Sequence, residues 1–144
     1  MLENEPQRLM LSLWHLHEIL VARVDDRLKQ EQGATLREYL LLTFVEQGVN
    51  RTGDIARTLN LPSYAASRMV EPLWRTGLLE RTVNEADARS FNLSLSKTGE
   101  TRLREAERVV FGELGALLAR FEPDRRQAFL SMLEDLTRLA RELG

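Results

Sequence analysis

The sequence predicts a mainly α-helical fold carrying one small β-hairpin. Three observations predict it. Apolar residues recur at three- and four-residue steps through most of the 144 residues, the period of a helix with one buried face. After Gly77 the period falls to two. Leu79, Arg81 and Val83, then Phe91, Leu93 and Leu95, alternate with polar neighbours, as paired strands do. Hydrophobic residues make up 43 % of the chain, enough to bury a core and to exclude global disorder.

The elements follow in order. Leu9, Leu13, Leu16, Leu20, Val24 and Leu28 mark a first helix. A second row, Met10, Trp14, His17, Val21 and Val24, lies beside them. So wide an apolar arc suits a helix buried on two sides, between its own domain and a partner chain. Gly33 breaks the pattern. Thr35 reads as an N-cap, with Glu38 completing a capping box, for a helix over 36–46 that Gly48 ends. Asn50 or Thr52 starts a short helix through Thr58, burying Ile55 and Leu59, and Asn60 and Leu61 close it. Pro62 and Ser63 open the next helix, from Ser63 to about Thr76, with Ala66, Met69, Val70 and Leu73 inward and Gly77 as its stop.

Between the two strands, Asn84 to Ser90 reads as a long, polar, exposed hairpin tip. Ser96 caps a helix from Lys97 to about Arg120, with a stripe of Leu103, Ala106, Val110, Leu114, Leu117 and Phe121. Pro123 stands in the first turn of a last helix, which is expected to bury Phe129, Met132, Leu133, Leu136, Leu139 and Leu143. No repeat or linker divides the chain, so one domain is expected over 1–144.

Composition excludes several classes of function. Cysteine is absent, which removes disulfides, thiolate metal sites and thiol switches. The two histidines, His15 and His17, point in different directions on a helix and form no bidentate metal site. No cofactor is expected. No apolar run reaches the roughly 20 residues that span a bilayer, so no membrane is expected as a partner. The opening MLENEPQRLM is acidic and lacks a signal-peptide layout, so the expected compartment is the cytoplasm. No nucleophile–base pair, metal set or phosphate loop appears, and an enzyme is not expected.

Charge is uneven. Residues 1–50 carry 5 basic and 8 acidic groups, residues 51–97 carry 7 and 5, and residues 98–144 carry 8 and 9. The middle is the only net-positive third. Two short helices joined by a tight turn and followed by a hairpin make a winged helix-turn-helix. A helix of this kind fits the major groove of B-DNA, and its N-terminal half reaches base edges. The inward face at 66, 69, 70 and 73 leaves Ser63, Tyr64, Ser67 and Arg68 outward near that end. Hydroxyls, a phenol and a guanidinium suit base or phosphate contacts, and Arg68 suits a bidentate contact to guanine. In the hairpin, Arg89 is placed to enter a narrow minor groove. Arg81, Lys97, Arg51 and Arg57 are candidate phosphate contacts.

The stretch Leu61 to Arg81 resembles the recognition-helix signature of MarR-type transcriptional regulators. Ser67-Arg68, Leu73 and Gly77-Leu78-Leu79-Glu80-Arg81 carry the resemblance. Asp87-x-Arg89-Ser90 and Leu93-x-Leu95-Ser96-x-x-Gly99 resemble that family's wing and the cap of its next helix. The resemblance spans nearly the whole chain and implies that Asp87 holds a wing arginine in place. Residues 33–97 then form the winged DNA-binding region. Residues 1–32 and 98–144 are dimerisation helices, since they expose more apolar surface than one small domain covers.

The expectation is a homodimeric, sequence-specific regulator, most often a repressor. Its partner is double-stranded DNA with a pseudo-palindromic operator whose half-sites lie roughly 10 bp apart. The resemblance further implies relief by a small, often aromatic and acidic, effector bound between the dimer helices and the reading domain. Trp14, His17 and Tyr39 are its candidate pocket residues, with Arg37 as the anion's partner. Two positions depart from the family's pattern. Pro72 lies inside the recognition helix, where it removes one hydrogen bond and crowds the carbonyl of Arg68, so a bend is expected. Trp74 stands where a charged residue is usual, and packing against the wing or the dimer arms is its expected role. These departures favour an alternative, a winged-helix dimer that binds protein and has lost DNA binding.

Overall fold

Helix α1 spans Glu5–Gln32, with Pro6 in the first turn, where a missing N–H leaves no bond unmade. Only Val24 and Leu28 of α1 are buried. The computed structural model describes residues 4–84 and 86–144, without the side chains of Asn84, Asp87, Ala88, Arg89 and Ser90. Helix α2 (Leu36–Glu46) starts at Thr35, whose Oγ1 accepts from Glu38 N–H at 3.1 Å. The Glu38 carboxylate turns to Arg102 instead, 3.4 Å from its Nε, so only one half of the expected capping box is used for capping. Asp25 joins α1 to α2: its Oδ1 accepts from Leu36 N–H at 2.8 Å, and its Oδ2 lies 2.8 Å from Lys29 Nζ.

Helix α3 (Thr52–Thr58) is short and contributes Ile55 and Ala56 to the core. Asn60, at a φ of 55°, turns the chain into α4 (Ser63–Arg75). Pro72 lies inside α4 without ending it. The helix closes on Gly77, at a φ of 80° that suits glycine. Gly77 N–H donates to Trp74 O at 3.1 Å and Leu78 N–H to Leu73 O at 2.9 Å, the paired bonds of a Schellman stop.

Strands β1 (Leu79–Asn84) and β2 (Asp87–Leu95) form an antiparallel hairpin. Leu79 pairs with Leu95, Arg81 with Leu93 and Val83 with Phe91, and the register shifts between Val83 and Asn84. The expected long loop from Asn84 to Ser90 is corrected here, since Asn84 and residues 87–90 lie in the strands. A run of polar residues carries no apolar alternation from which a strand can be read. Backbone pairing, not patterning, extends the ladder through them. Leu93 N–H also donates to Asn50 O at 2.7 Å, which pins the hairpin to the turn between α2 and α3.

Helix α5 covers Lys97–Leu118 and helix α6 covers Pro123–Glu142. Ser96 Oγ accepts from Gly99 N–H at 2.9 Å and donates to Gly77 O, so one hydroxyl caps α5 and closes the end of α4. Ion pairs Arg102–Glu38 and Arg104–Glu46 bind α5 to α2.

The chain divides into two compact units, Met1–Val109 and Val110–Gly144. In the first, one core gathers Leu41, Leu42 and Val45 of α2 with Ile55 of α3, Ala66, Val70 and Leu73 of α4, Leu79 and Leu93 of the hairpin, and Leu103 of α5. In the second, Arg126 Nη1 donates to Leu118 O at 3.4 Å, and α6 buries no residue. The expectation that α6 buries its apolar stripe is thereby corrected within the single chain: Phe129, Met132, Leu133, Leu136, Leu139 and Leu143 are all exposed. The stripe keeps its helical period, yet no element of its own unit covers it.

Candidate nucleic-acid interface

The site is built on the rotation of α4. Ala66, Val70 and Leu73 are buried in the core, and this fixes which side of the helix faces out. Ser63, Tyr64, Ser67 and Arg68 are all exposed. Their spacing puts them on one face at the N-terminal half of the helix. The Arg68 guanidinium lies 5.4 Å from the centroid of the Tyr64 ring, one turn away. An exposed ring that carries a guanidinium offers bidentate N–H donors on a flat support.

The other expected contacts are dispersed. Arg51 is the N-cap residue of α3 and is exposed. Arg57, on the same helix, pairs with Asp54. Lys97 is exposed at the start of α5. Asp87 and Arg89 have their backbone in β2, and their side chains lie outside the described residues.

Arg81, expected as a phosphate contact, lies among neighbours on α4 and the hairpin. Its Nη2 lies 2.6 Å from Glu71 Oε2, and its guanidinium sits 4.1 Å from the centroid of Trp74 and 5.4 Å from that of Phe91. Glu71 also receives Arg75 Nε at 3.2 Å. The Arg81 hydrogen bond, followed by the charges of both guanidiniums, holds the Glu71 carboxyl below the usual carboxylate range. Glu71 and Phe91 were not legible as partners in the sequence. The period-two spacing signals only that a partner is needed, because it puts Arg81 on the same hairpin face as Leu79 and Val83, where a cation needs a counter-charge; which residues supply it is set by how α4 packs on the hairpin. Trp74 packs against the hairpin through this arginine, one of the two roles its position suggested.

Of the four expected effector residues, two line a common space. A cavity of about 450 Å³ lies between α1, α2 and the α3–α4 turn, with His17, Asp25, Arg37, Leu36, Leu40 and Leu61 among its walls. Tyr39 instead packs against the core, and burial raises its phenol pKa. Trp14 is 62 % exposed on α1 and does not line this cavity. Among the described residues, no group of acidic or histidine side chains could hold a metal ion. Among the described residues, no helix is long and apolar enough to cross a membrane.

Two helices, a tight turn and a hairpin anchored beside the second helix define a winged helix-turn-helix. No protein-family model matches the sequence, and neither does any curated protein. Solved structures do match. The transcriptional regulator BldR from Sulfolobus solfataricus aligns over 96 % of both chains, with a TM-score of 0.82 and 18 % identity. Streptococcus pneumoniae FabT, solved in complex with DNA, aligns over 97 % of this chain and 100 % of its own, with a TM-score of 0.78 and 16 % identity. A Mycobacterium tuberculosis MarR family protein, solved with salicylic acid, covers 86 % of this chain and 92 % of its own at 26 % identity and a TM-score of 0.70. The chain has the MarR-family winged-helix fold.

Proposed function

We propose that this chain is a homodimeric, sequence-specific DNA-binding regulator, acting as a repressor that a small aromatic anion relieves. The exposed face of Ser63, Tyr64, Ser67 and Arg68 on α4 carries the proposal. Helix α4 enters the major groove, and Arg68 reads a base edge there. The hairpin brings Arg89 to the neighbouring minor groove, with Asp87 holding the arginine in place. Arg51, Arg57 and Lys97 supply sequence-independent attraction to phosphate. Support comes also from the FabT structure, which holds DNA on the same fold.

The uncovered apolar faces support self-association. Met10, Leu13, Trp14, Ile19, Phe129 and Met132 are each exposed, far beyond what scattered surface residues explain. A two-fold dimer would cover them and present two α4 helices to a pseudo-palindrome. The effector proposal rests on the cavity beside Arg37, which is lined by Val21, Leu36, Leu40, Leu59 and Leu61 and has the Arg37 cation in its wall, with the Asp25 carboxylate, already paired with Lys29, also present. The similar mycobacterial protein was solved with salicylic acid.

Fluorescence anisotropy tests this on DNA upstream of the chain's own reading frame, at two salt concentrations. Wild type binds with a steep salt dependence, because each phosphate contact releases counterions. Arg68→Ala weakens binding by about 1–3 kcal/mol, as removal of a bidentate base contact does, and the Arg68→Ala/Arg89→Ala pair abolishes specific binding. Salicylate releases the DNA from wild type and not from Arg37→Ala. Absent or salt-insensitive binding by a folded dimer would instead favour the protein-binding module.

A further inference from the structure

We propose that Arg81 is a positioning residue: pinned to Glu71 and laid between Trp74 and Phe91, it sets the angle between the recognition helix and the wing. This rests on the DNA-binding function above, because the angle matters through the spacing at which α4 and the hairpin meet adjacent grooves.

The hairpin register puts Arg81 on the face that also carries Leu79, Val83, Phe91, Leu93 and Leu95. A guanidinium on such a face needs both an apolar bed and a counter-charge. It has both. Trp74 lies 4.1 Å from it, Phe91, the diagonal neighbour across the ladder, 5.4 Å, and Glu71 2.6 Å. Glu71 and Trp74 belong to α4, Arg81 to β1 and Phe91 to β2. One cation therefore joins three elements. Its side chain is only 25 % exposed, and its Nη2 is already taken by the Glu71 carboxylate. Lysine could not replace it, since the stack needs a planar group and the ion pair a directed N–H.

The position matters because of what lies beyond it. Leu79 and Leu93 are buried in the core. Val83, two residues past Arg81, is already 59 % exposed. Among the described side chains of β1, Arg81 is the outermost one tied to α4 by an ion pair or ring contact, and a small change of angle there is magnified toward the end that carries Arg89.

The test combines a distance with a footprint. The chain has no cysteine, so spin labels at Ser67→Cys and Ala86→Cys report the helix-to-wing distance, with labelled protein diluted into unlabelled chain. We expect a narrow distribution that Trp74→Leu and Arg81→Leu broaden and Trp74→Phe restores. Hydroxyl-radical footprints are then taken on a duplex that wild type enriches from a random-sequence pool. Both leucine variants should lose the flanking minor-groove protection and keep the central one. Their salt slope should fall by about 1 for each phosphate that the wing no longer reaches. Trp74→Phe should recover the wild-type footprint. If Arg81→Leu alters the footprint and Trp74→Leu does not, Arg81 is a direct phosphate contact and the proposal is overturned. An unchanged distance distribution in both leucine variants, or a Trp74→Phe chain that behaves as Trp74→Leu, also overturns it. If wild type enriches no duplex, DNA binding itself fails, while the distances still decide whether the cluster holds the wing.

Discussion

Gly99 occupies a place where one methyl group changes the packing. A Cβ there would lie 2.0 Å from the carbonyl oxygen of Leu78. That oxygen already accepts from Ser96 N–H at 3.0 Å, and the obstacle is backbone, which cannot swing away as a side-chain tip can. Gly99→Ala should therefore destabilise the chain by about 1–3 kcal/mol, the usual range for overpacking, seen as a lower denaturant midpoint at unchanged m-value. Asp25 gives a prediction in pH. The Lys29 hydrogen bond, then that from Leu36 N–H, lowers its pKa in the folded chain. A carboxyl with a depressed folded pKa adds stability that is complete above the ordinary aspartate value of about 3.9 and is lost as pH falls through the folded one. Melting curves below about pH 4 should fall more steeply for wild type than for Asp25→Asn, with the two differing most above that range.

At the scale of elements, α3 is the one least able to stand alone. Its range, Thr52–Thr58, gives 7 residues, well short of the roughly 12–15 that make an isolated helix even marginal. Packing must hold it, and Ile55, fully buried, is its largest core side chain. Ile55→Ala should cost about 2–5 kcal/mol and, because α3 supports the turn into α4, weaken DNA binding as well; chemical denaturation and anisotropy on the same samples check both. The hairpin contrasts with α3. Its base is fixed by Leu79, Leu93 and the Leu93–Asn50 hydrogen bond, while Val83 and Phe91 beyond the base are exposed. Its angle to α4 is then left to the side chains around Arg81.

For the whole molecule, the exposed apolar stripe of α6 is the feature that a single chain does not explain. Met132 is 70 % exposed and Leu143 89 %. Sedimentation velocity should find wild type at twice the 16.6 kDa chain mass. Met132→Glu should shift it toward the single chain without lowering its unfolding midpoint in dilute solution, since the side chain is mostly exposed on its own chain. A dimer that survives Met132→Glu unchanged would remove α6 from the association surface.

The sequence by itself determined every helix, the hairpin and their order. Each rests on local chemistry: a 3.6-residue period, Thr35 and Ser96 as caps, Gly77 as a stop, and alternation from Leu79 to Leu95. The outward face of α4 was also legible, because Ala66, Val70 and Leu73 could only point inward. Three things were decided by tertiary structure alone. The strands extend into the polar stretch from Asn84 to Ser90, where pairing leaves no trace in composition. The cavity brings together His17, Asp25 and Arg37 and leaves Trp14 and Tyr39 elsewhere, because residues distant along the chain meet only when α1 packs on α2. Arg81, one more basic residue in a net-positive segment when read along the chain, is enclosed by Glu71, Trp74 and Phe91. Charge is a property of a residue, whereas the partner that takes up that charge is a property of the fold.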